Sequence, residues 1–354
     1  MRFPPLPPLA HAPVAPATPT HASRRGLLMQ GAALAALCTP LAHAAPPAAA
    51  PAPARPSVPR VAGTLRIVIP ANPGGGWDQT GRALGAALVA CGAAERVEYE
   101  NAGGKGGTIG LARYVERYDA DPNTLLIGGM VMVGAVALQK PAVDMARVQP
   151  LARLTSDYLV VAVPAASPIR NAKDLVAALR ADVAAQPFAG GSAGGVDHMF
   201  AGVLTRAAKA PPEQLVYKPF ASGAEVVEAL LKDQARMGVS GYSEFSEALA
   251  GGKLRAIGVS ARRSVFGLPS FREQGLDADM ANWRAVFTGK QVPAARAQAL
   301  VAAVEQATLH ESWQRTLRQN RWEASWQTGK DFGEFLELEL TTARVMTYLL
   351  KLKA

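Results

Sequence analysis

The sequence predicts an α/β protein of two lobes, each a mixed sheet flanked by helices, with the chain crossing twice between them. Three observations carry this. β-branched apolar runs alternate with alanine-rich helical runs almost throughout, and glycine-rich bends sit where strands end. The alternation also restarts after Pro164 and returns near Trp283. A chain of 354 residues with 49% apolar content can bury a core in each of two domains.

The first 44 residues read as an export signal, removed before the protein acts. Ser23-Arg24-Arg25-Gly26 precedes the apolar run Gly31 to Leu37, and Ala42-His43-Ala44 has the small-x-small form of a cleavage site, an order that fits the twin-arginine kind. The apolar core is too short for a stable membrane span. Leu37 is too large for the position before a lipidated cysteine, which sets aside a lipid anchor on Cys38. Residues 45–62 alternate alanine and proline without periodicity and predict a disordered linker. Cleavage removes Arg2, Arg24 and Arg25, taking the formal charge from +9 to +6 (nine minus three). Basic residues are scattered, which argues against nucleic acid, and the single remaining cysteine, Cys91, excludes an intramolecular disulfide.

From Ile67, each element has its own signal. Ile67 to Ile69 is a buried strand that breaks at Pro70, Pro73 and the glycines Gly74, Gly75 and Gly76. Trp77 to Ala90 follows with helical spacing, so the unpaired N–H groups of a helix start face the bend, with Asp78 in the first turn. Arg96 to Glu100 is a second strand. It leads into a second glycine bend with Lys105, Gly106 and Gly107, then a helix over Thr108–Tyr118 capped by Thr108. Thr124 to Gly129 is a third strand, and Leu159 to Pro164 a buried strand that ends the first lobe at a stiff Pro164/Pro168 crossing.

The second lobe, residues 165–282, begins with a helix from Asn171 to Ala184 and a strand near Phe188. A third glycine bend, Gly190 to Gly195 with Ser192, opens a helix from Val196, and Gln214 to Tyr217 reads as a strand. Ser222 caps a helix to Lys232. Arg236 to Ser240 is a strand entering Gly241-Tyr242-Ser243, followed by a helix over Glu244–Ala250 and a strand over Leu254–Val259. Trp283 to Thr288 returns the chain to the first lobe, residues 63–164 plus 283–354, which helices from Ala294 to His310 and from Gly329 to Leu352 close.

The ordered phrases Ile69-Pro70 with Gly74-Gly75-Gly76-Trp77-Asp78, Glu100 to Gly110, Gly190 to Gly195 with His198, Val239 to Phe245 and Ala281 to Phe287 resemble the periplasmic receptors of tripartite tricarboxylate transporters, the TctC or Bug family. The resemblance runs from about Leu65 to Leu350, nearly the whole mature chain. It implies a type II periplasmic-binding-protein fold that closes over a small carboxylate, delivers it to membrane permease subunits, and works as a monomer without cofactor or metal. Carried over by position, the ligand contacts are Gly74, Gly75, Gly76, Trp77, Asp78, Gly106, Gly107 and Thr108 in the first lobe. In the second they are Ser192, Gly195, His198, Ser240 and Tyr242. Neutral donors at helix starts can hold an anion without a buried fixed charge, which agrees with this independently.

For Asp78, contact with the ligand's polar end, bracing of the loop and a helix-dipole role all stay open. Tyr217-Lys-Pro-Phe-Ala-Ser-Gly223 departs from the family's usual phrase and, with Asn282-Trp283-Arg284, leans toward a citrate-like tricarboxylate. Two rivals remain. One is a carboxylate sensor that feeds a membrane signalling protein. The other is a serine hydrolase in which Gly190-Gly-Ser192-Ala-Gly194 supplies the nucleophile, with His198 or His310 as base. Against the hydrolase, His198 follows too closely for an acid to intervene, except Asp197.

Overall fold

The computed structural model describes residues 60–352, so the export signal over 1–44 and the linker expected over 45–62 lie outside the described residues except for residues 60–62, where Ala62 already pairs with Ala94 as the start of a strand. The chain opens with strand β1 (Ala62–Ile69), helix α1 (Gly76–Ala90), strand β2 (Ala94–Asn101), helix α2 (Thr108–Tyr118), strand β3 (Thr124–Gly129) and helix α3 (Met130–Gln139). The 17-residue strand β4 (Val148–Pro164) leads to α4 (Ala172–Ala181), β5 (Phe188–Gly190), α5 (Val196–Ala207) and β6 (Tyr217–Pro219). Then come α6 (Gly223–Leu231), β7 (Met237–Gly241), α7 (Tyr242–Ala250) and β8 (Leu254–Val259). The chain continues with β9 (Ala281–Gly289), α8 (Ala294–Leu309), α9 (Glu311–Asn320), β10 (Glu323–Thr328) and α10 (Gly329–Leu349).

Two mixed sheets share β4. In the first, β1 lies parallel between β2 and β3, and β9 joins β3 antiparallel to β4, with β10 also antiparallel to β4. In the second, β7 and β8 pair antiparallel with β4, and β5 lies parallel between β6 and β7. The first eleven residues of β4, Val148 to Tyr158, pair with β9, and Leu159 to Pro164 pair with β7 and β8. The chain therefore changes sheet inside one strand, between Tyr158 and Leu159, before it reaches Pro164. Register shifts at Pro150/Ala152, Arg153/Thr155 and Val161/Ala162 bend and twist β4 enough to serve both sheets. The return lies between Val259 and Ala281, which pairs with Tyr158.

Why the elements form is plain in most places. All six residues of β3 are buried, as expected for a strand covered on both faces. α3 is apolar on every side and is buried along nearly its whole length. Asn171 and Ser222 cap α4 and α6 by accepting the N–H groups of Asp174 and Glu225.

Some expectations differ. Thr108 is the first helical residue, not the cap: Gly107 takes that place, and the Thr108 hydroxyl donates back to the Lys105 carbonyl at 3.0 Å. Pro211 and Pro212 hold Pro212–Gln214 in a short 3₁₀ turn, so the strand there starts only at Tyr217. The expected helix to His310 ends at Leu309, and His310 caps a separate helix by accepting the Ser312 N–H. After α10, Leu350 and Leu352 reach the second lobe: a Cβ on Gly202 of α5 would lie 3.0 Å from the Leu350 side chain.

Candidate functional site: a cleft at converging helix starts

The glycine bends bring helix starts from both lobes to one cavity of about 310 Å³. The first lobe contributes the start of α1 at Gly76 and Trp77 and the bend before α2. The second contributes the starts of α5 at Val196, of α6 at Gly223, and of α7 just after Gly241. First-turn N–H groups have no carbonyl one turn back, so these ends present donors and a partial positive charge to the space between them.

Gly75, Gly76, Trp77, Gly106, Gly107, Ser192, Gly195 and Ser240 line this cavity. Their backbone geometry explains the residue types. Gly107 has φ 89°, and a Cβ there would sit 2.6 Å from the Trp77 ring, so the bend closes over the indole only as glycine. A Cβ on Gly76 would lie 2.7 Å from Nη2 of Arg284. Across the cleft, Gly106 faces Ser192, whose Cβ would be 3.6 Å from a side chain at that glycine.

Gly74, Asp78, Thr108, His198 and Tyr242 are not on the cavity wall. Asp78 is buried, and its carboxylate accepts the Gly74 N–H at 2.9 Å, Arg82 Nε at 3.0 Å and Asn101 Nδ2 at 2.9 Å. Burial would raise its pKa, but hydrogen bonds from Arg82, Gly74 and Asn101 outweigh that and hold it below the usual carboxylate range. Here Asp78 braces the first bend. His198 braces the third: its Nδ1 accepts the Gly194 N–H at 3.1 Å and its ring stacks on Tyr217 at 4.1 Å. Burial lowers its pKa to about 4, which keeps the imidazole neutral. Tyr242 packs against Phe266, and the Arg321 guanidinium lies 4.5 Å from its ring centre.

Four charged side chains also line the cavity: Lys105, Arg284, Asp197 and Glu244. Lys105 is exposed, whereas Arg284 is 4% exposed and donates to Asp157 Oδ2 at 3.1 Å. Its guanidinium also lies over the Trp322 ring at 4.4 Å. Burial raises the Asp157 pKa to about 6 against the pull of Arg284. Asp197 touches the cavity but is otherwise enclosed by protein. Burial pushes its pKa to about 7, although its Oδ2 accepts the Gly191 N–H at 2.8 Å. Glu244 accepts a hydrogen bond from Ser240. These acids sit in the first turns of α5 and α7.

Of these four, the sequence places Lys105 in the second glycine bend and Arg284 in the phrase Asn282-Trp283-Arg284, but neither is marked there as a charge facing the ligand. An arginine in an apolar strand was the available signal.

The hydrolase constellation is not assembled. His198 spends Nδ1 on the Gly194 amide, and Ser192 makes no side-chain hydrogen bond to it among the described residues. Among the described residues no group of His, Cys, Asp and Glu is placed to hold a metal, and no helix is long and apolar enough to cross a membrane.

The family model described as the tripartite tricarboxylate transporter family receptor, TctC, matches residues 88–347. The chain belongs to this receptor family. The match begins after the first glycine bend, so that bend's place in the receptor rests on its geometry. A comparison with curated proteins finds no match. The receptor superposes on the periplasmic binding protein BugD with a TM-score of 0.72 at 19% identity, covering 82% of this chain and 98% of that one. MatC (Rpa3494) from Rhodopseudomonas palustris, solved with bound malate, gives 0.69 at 22% identity over 80% of this chain and 98% of its own. R. palustris Rpa4515 with adipate gives 0.74 at 18% identity, with coverages of 82% and 98%. These likenesses bear out the two-lobed binding-protein fold.

Proposed function

We propose that the receptor is exported to the periplasm, captures a small dicarboxylate or tricarboxylate in this cleft, and presents it as a monomer to membrane permease subunits of a tripartite tricarboxylate transporter. The observation that carries the reading is the convergence of glycine-bordered helix starts from both lobes on one cavity. A carboxylate is the small group such donors suit. A ligand bridging the α1 start and the second-lobe bends binds the closed arrangement more tightly than an open one, and so favours closure.

In this reading Gly75, Gly76, Trp77, Gly106, Gly107, Ser192, Gly195 and Ser240 face the ligand. Gly74, Asp78, Thr108, His198 and Tyr242 hold the bends that present them. The choice among carboxylates moves toward a dicarboxylate: Glu244 on the second-lobe wall would repel a third carboxylate, which weighs against the citrate-like lean. Malate in MatC and adipate in Rpa4515 support the same choice. A thermal-shift screen with malate, adipate and citrate tests it, because a ligand at 100 times its dissociation constant stabilises by about 2.7 kcal/mol. Stabilisation by malate or adipate beyond that by citrate is expected. If no carboxylate shifts the transition, the reading fails.

A further inference from the structure

Arg284 would pass for half of a structural ion pair were it not for its surroundings. Asp157 occupies Nη2, but Nη1 is buried without any hydrogen-bond partner. The side chain is 95% buried and lines the cavity. The start of α1 rests against it, since any Cβ on Gly76 would meet the guanidinium. Two more buried polar atoms in this neighbourhood lack partners: Oδ1 of Asn282, which also lines the cavity, and Nε1 of Trp322, whose ring lies under the guanidinium. Buried donors without partners are rare in folded proteins, and a charged one is the most costly to leave so. Here a buried guanidinium with an unfilled N–H lines the same cavity as the unpaired N–H groups of a helix start, and both seek an acceptor.

We infer that Arg284 is the anion anchor of the cleft: one ligand carboxylate seats against its guanidinium near the first turn of α1, while Asp157 positions the guanidinium. The inference rests on the carboxylate-receptor reading above and adds a fixed charge to it. A planar fork held by Asp157 at Nη2 and by Trp322 on one face keeps further N–H groups for a ligand acceptor.

The test measures malate and adipate binding by titration calorimetry on the wild type, on D157N/R284Q and on R284K, with the melting temperature of each unliganded protein as control. The double variant removes both charges, so no buried carboxylate is stranded, and it is expected to lose at least about 30-fold in affinity. Binding within threefold of wild type would make Arg284 purely structural and overturn the inference. R284K keeps a cation opposite Asp157 and covers the case in which the double variant fails to fold. It is expected to bind about tenfold more weakly, and wild-type affinity there overturns the inference equally. Failure of the wild type itself to bind either acid sinks the receptor reading and this inference with it, an outcome distinct from losing the Arg284 effect alone.

Discussion

Asp78 Oδ2 accepts the N–H of Gly74 at 2.9 Å, closing the first glycine bend onto the helix that follows it. The same carboxylate holds Arg82 and Asn101, and Asn101 Nδ2 also donates to the Ala71 carbonyl at 3.0 Å, so one acid joins the bend, α1 and the end of β2. Asp78→Ala is expected to cost about 1–3 kcal/mol, the loss for leaving such donors unpaired, and to weaken malate binding without touching the ligand. The pH dependence has a fixed sign. Because the folded pKa lies below the unfolded value of 3.8, this stabilisation is complete above that pH and is lost as pH falls through the folded pKa. Urea denaturation across the acid range would show that decline in the wild type and a weaker one in the variant. Identical curves would rule out the brace.

Asp197 and His198 are neighbours whose titrations act in opposite directions. Asp197 has a folded pKa of about 7 against 3.8 unfolded, so between those values the folded state holds a proton that the unfolded state has released, and stability falls as pH rises. His198, at about 4 against 6.5, lacks a proton that the unfolded state binds, so its contribution is lost as pH falls from 6.5. Asp157, raised to about 6, acts with Asp197. Two falling slopes against one rising slope leave a net decline with pH of up to about 1.4 kcal/mol per unit between roughly pH 4 and 6. Asp197→Asn removes one falling slope and is expected to flatten the profile, with its largest stabilisation above pH 7. Parallel stability curves for the two proteins would show that Asp197 is not the group responsible.

Gly75 and Gly107 border the same cavity but differ in what a side chain would meet. Gly75 has φ −76° and ψ 171°, and a Cβ there finds only the Asn72 carbonyl, at 3.9 Å. Valine therefore fits the backbone and projects a branched side chain from the cavity wall, so Gly75→Val should keep the wild-type melting temperature and lose malate binding. Gly107→Ala, in the left-handed region and against Trp77, should instead lose about 1–3 kcal/mol of stability. Calorimetric titration with thermal denaturation separates the two. Unchanged affinity in Gly75→Val would remove the bend from the binding surface.

The contrast between these glycines also marks what can be read from sequence. The bends, α1, α2, β3 and β8 are legible because their signals are local: glycine clusters, first-turn residues and apolar periodicity. α3 is not, because Met130 to Gln139 is apolar all round and has no polar face to set a period. The first half of β4 is hidden for the opposite reason, since Pro150, Arg153 and Asp157 break the alternation of a strand whose bulges serve two sheets. In the site, backbone donors could be inferred from glycine spacing. The Arg284–Asp157 pair could not, because its partners are 127 residues apart and meet only when β9 lies against β4.

Arg321, between α9 and β10 of the first lobe, places its guanidinium 4.5 Å from the ring centre of Tyr242 at the start of α7 in the second. Its backbone is left-handed, φ 55° and ψ 38°, a conformation that glycine adopts without strain. Arg321→Gly therefore removes the cation while easing the end of α9, and stability should hold or rise slightly. An exposed cation–π contact is worth about 0.5–1 kcal/mol, so losing one that bridges the two lobes should weaken malate binding roughly two- to fivefold. Stability and affinity are thus expected to separate in one variant, which a generally damaging substitution would not produce. Calorimetric titration beside thermal denaturation reads both, and wild-type affinity would mean that the Arg321–Tyr242 contact contributes nothing to closure over the ligand.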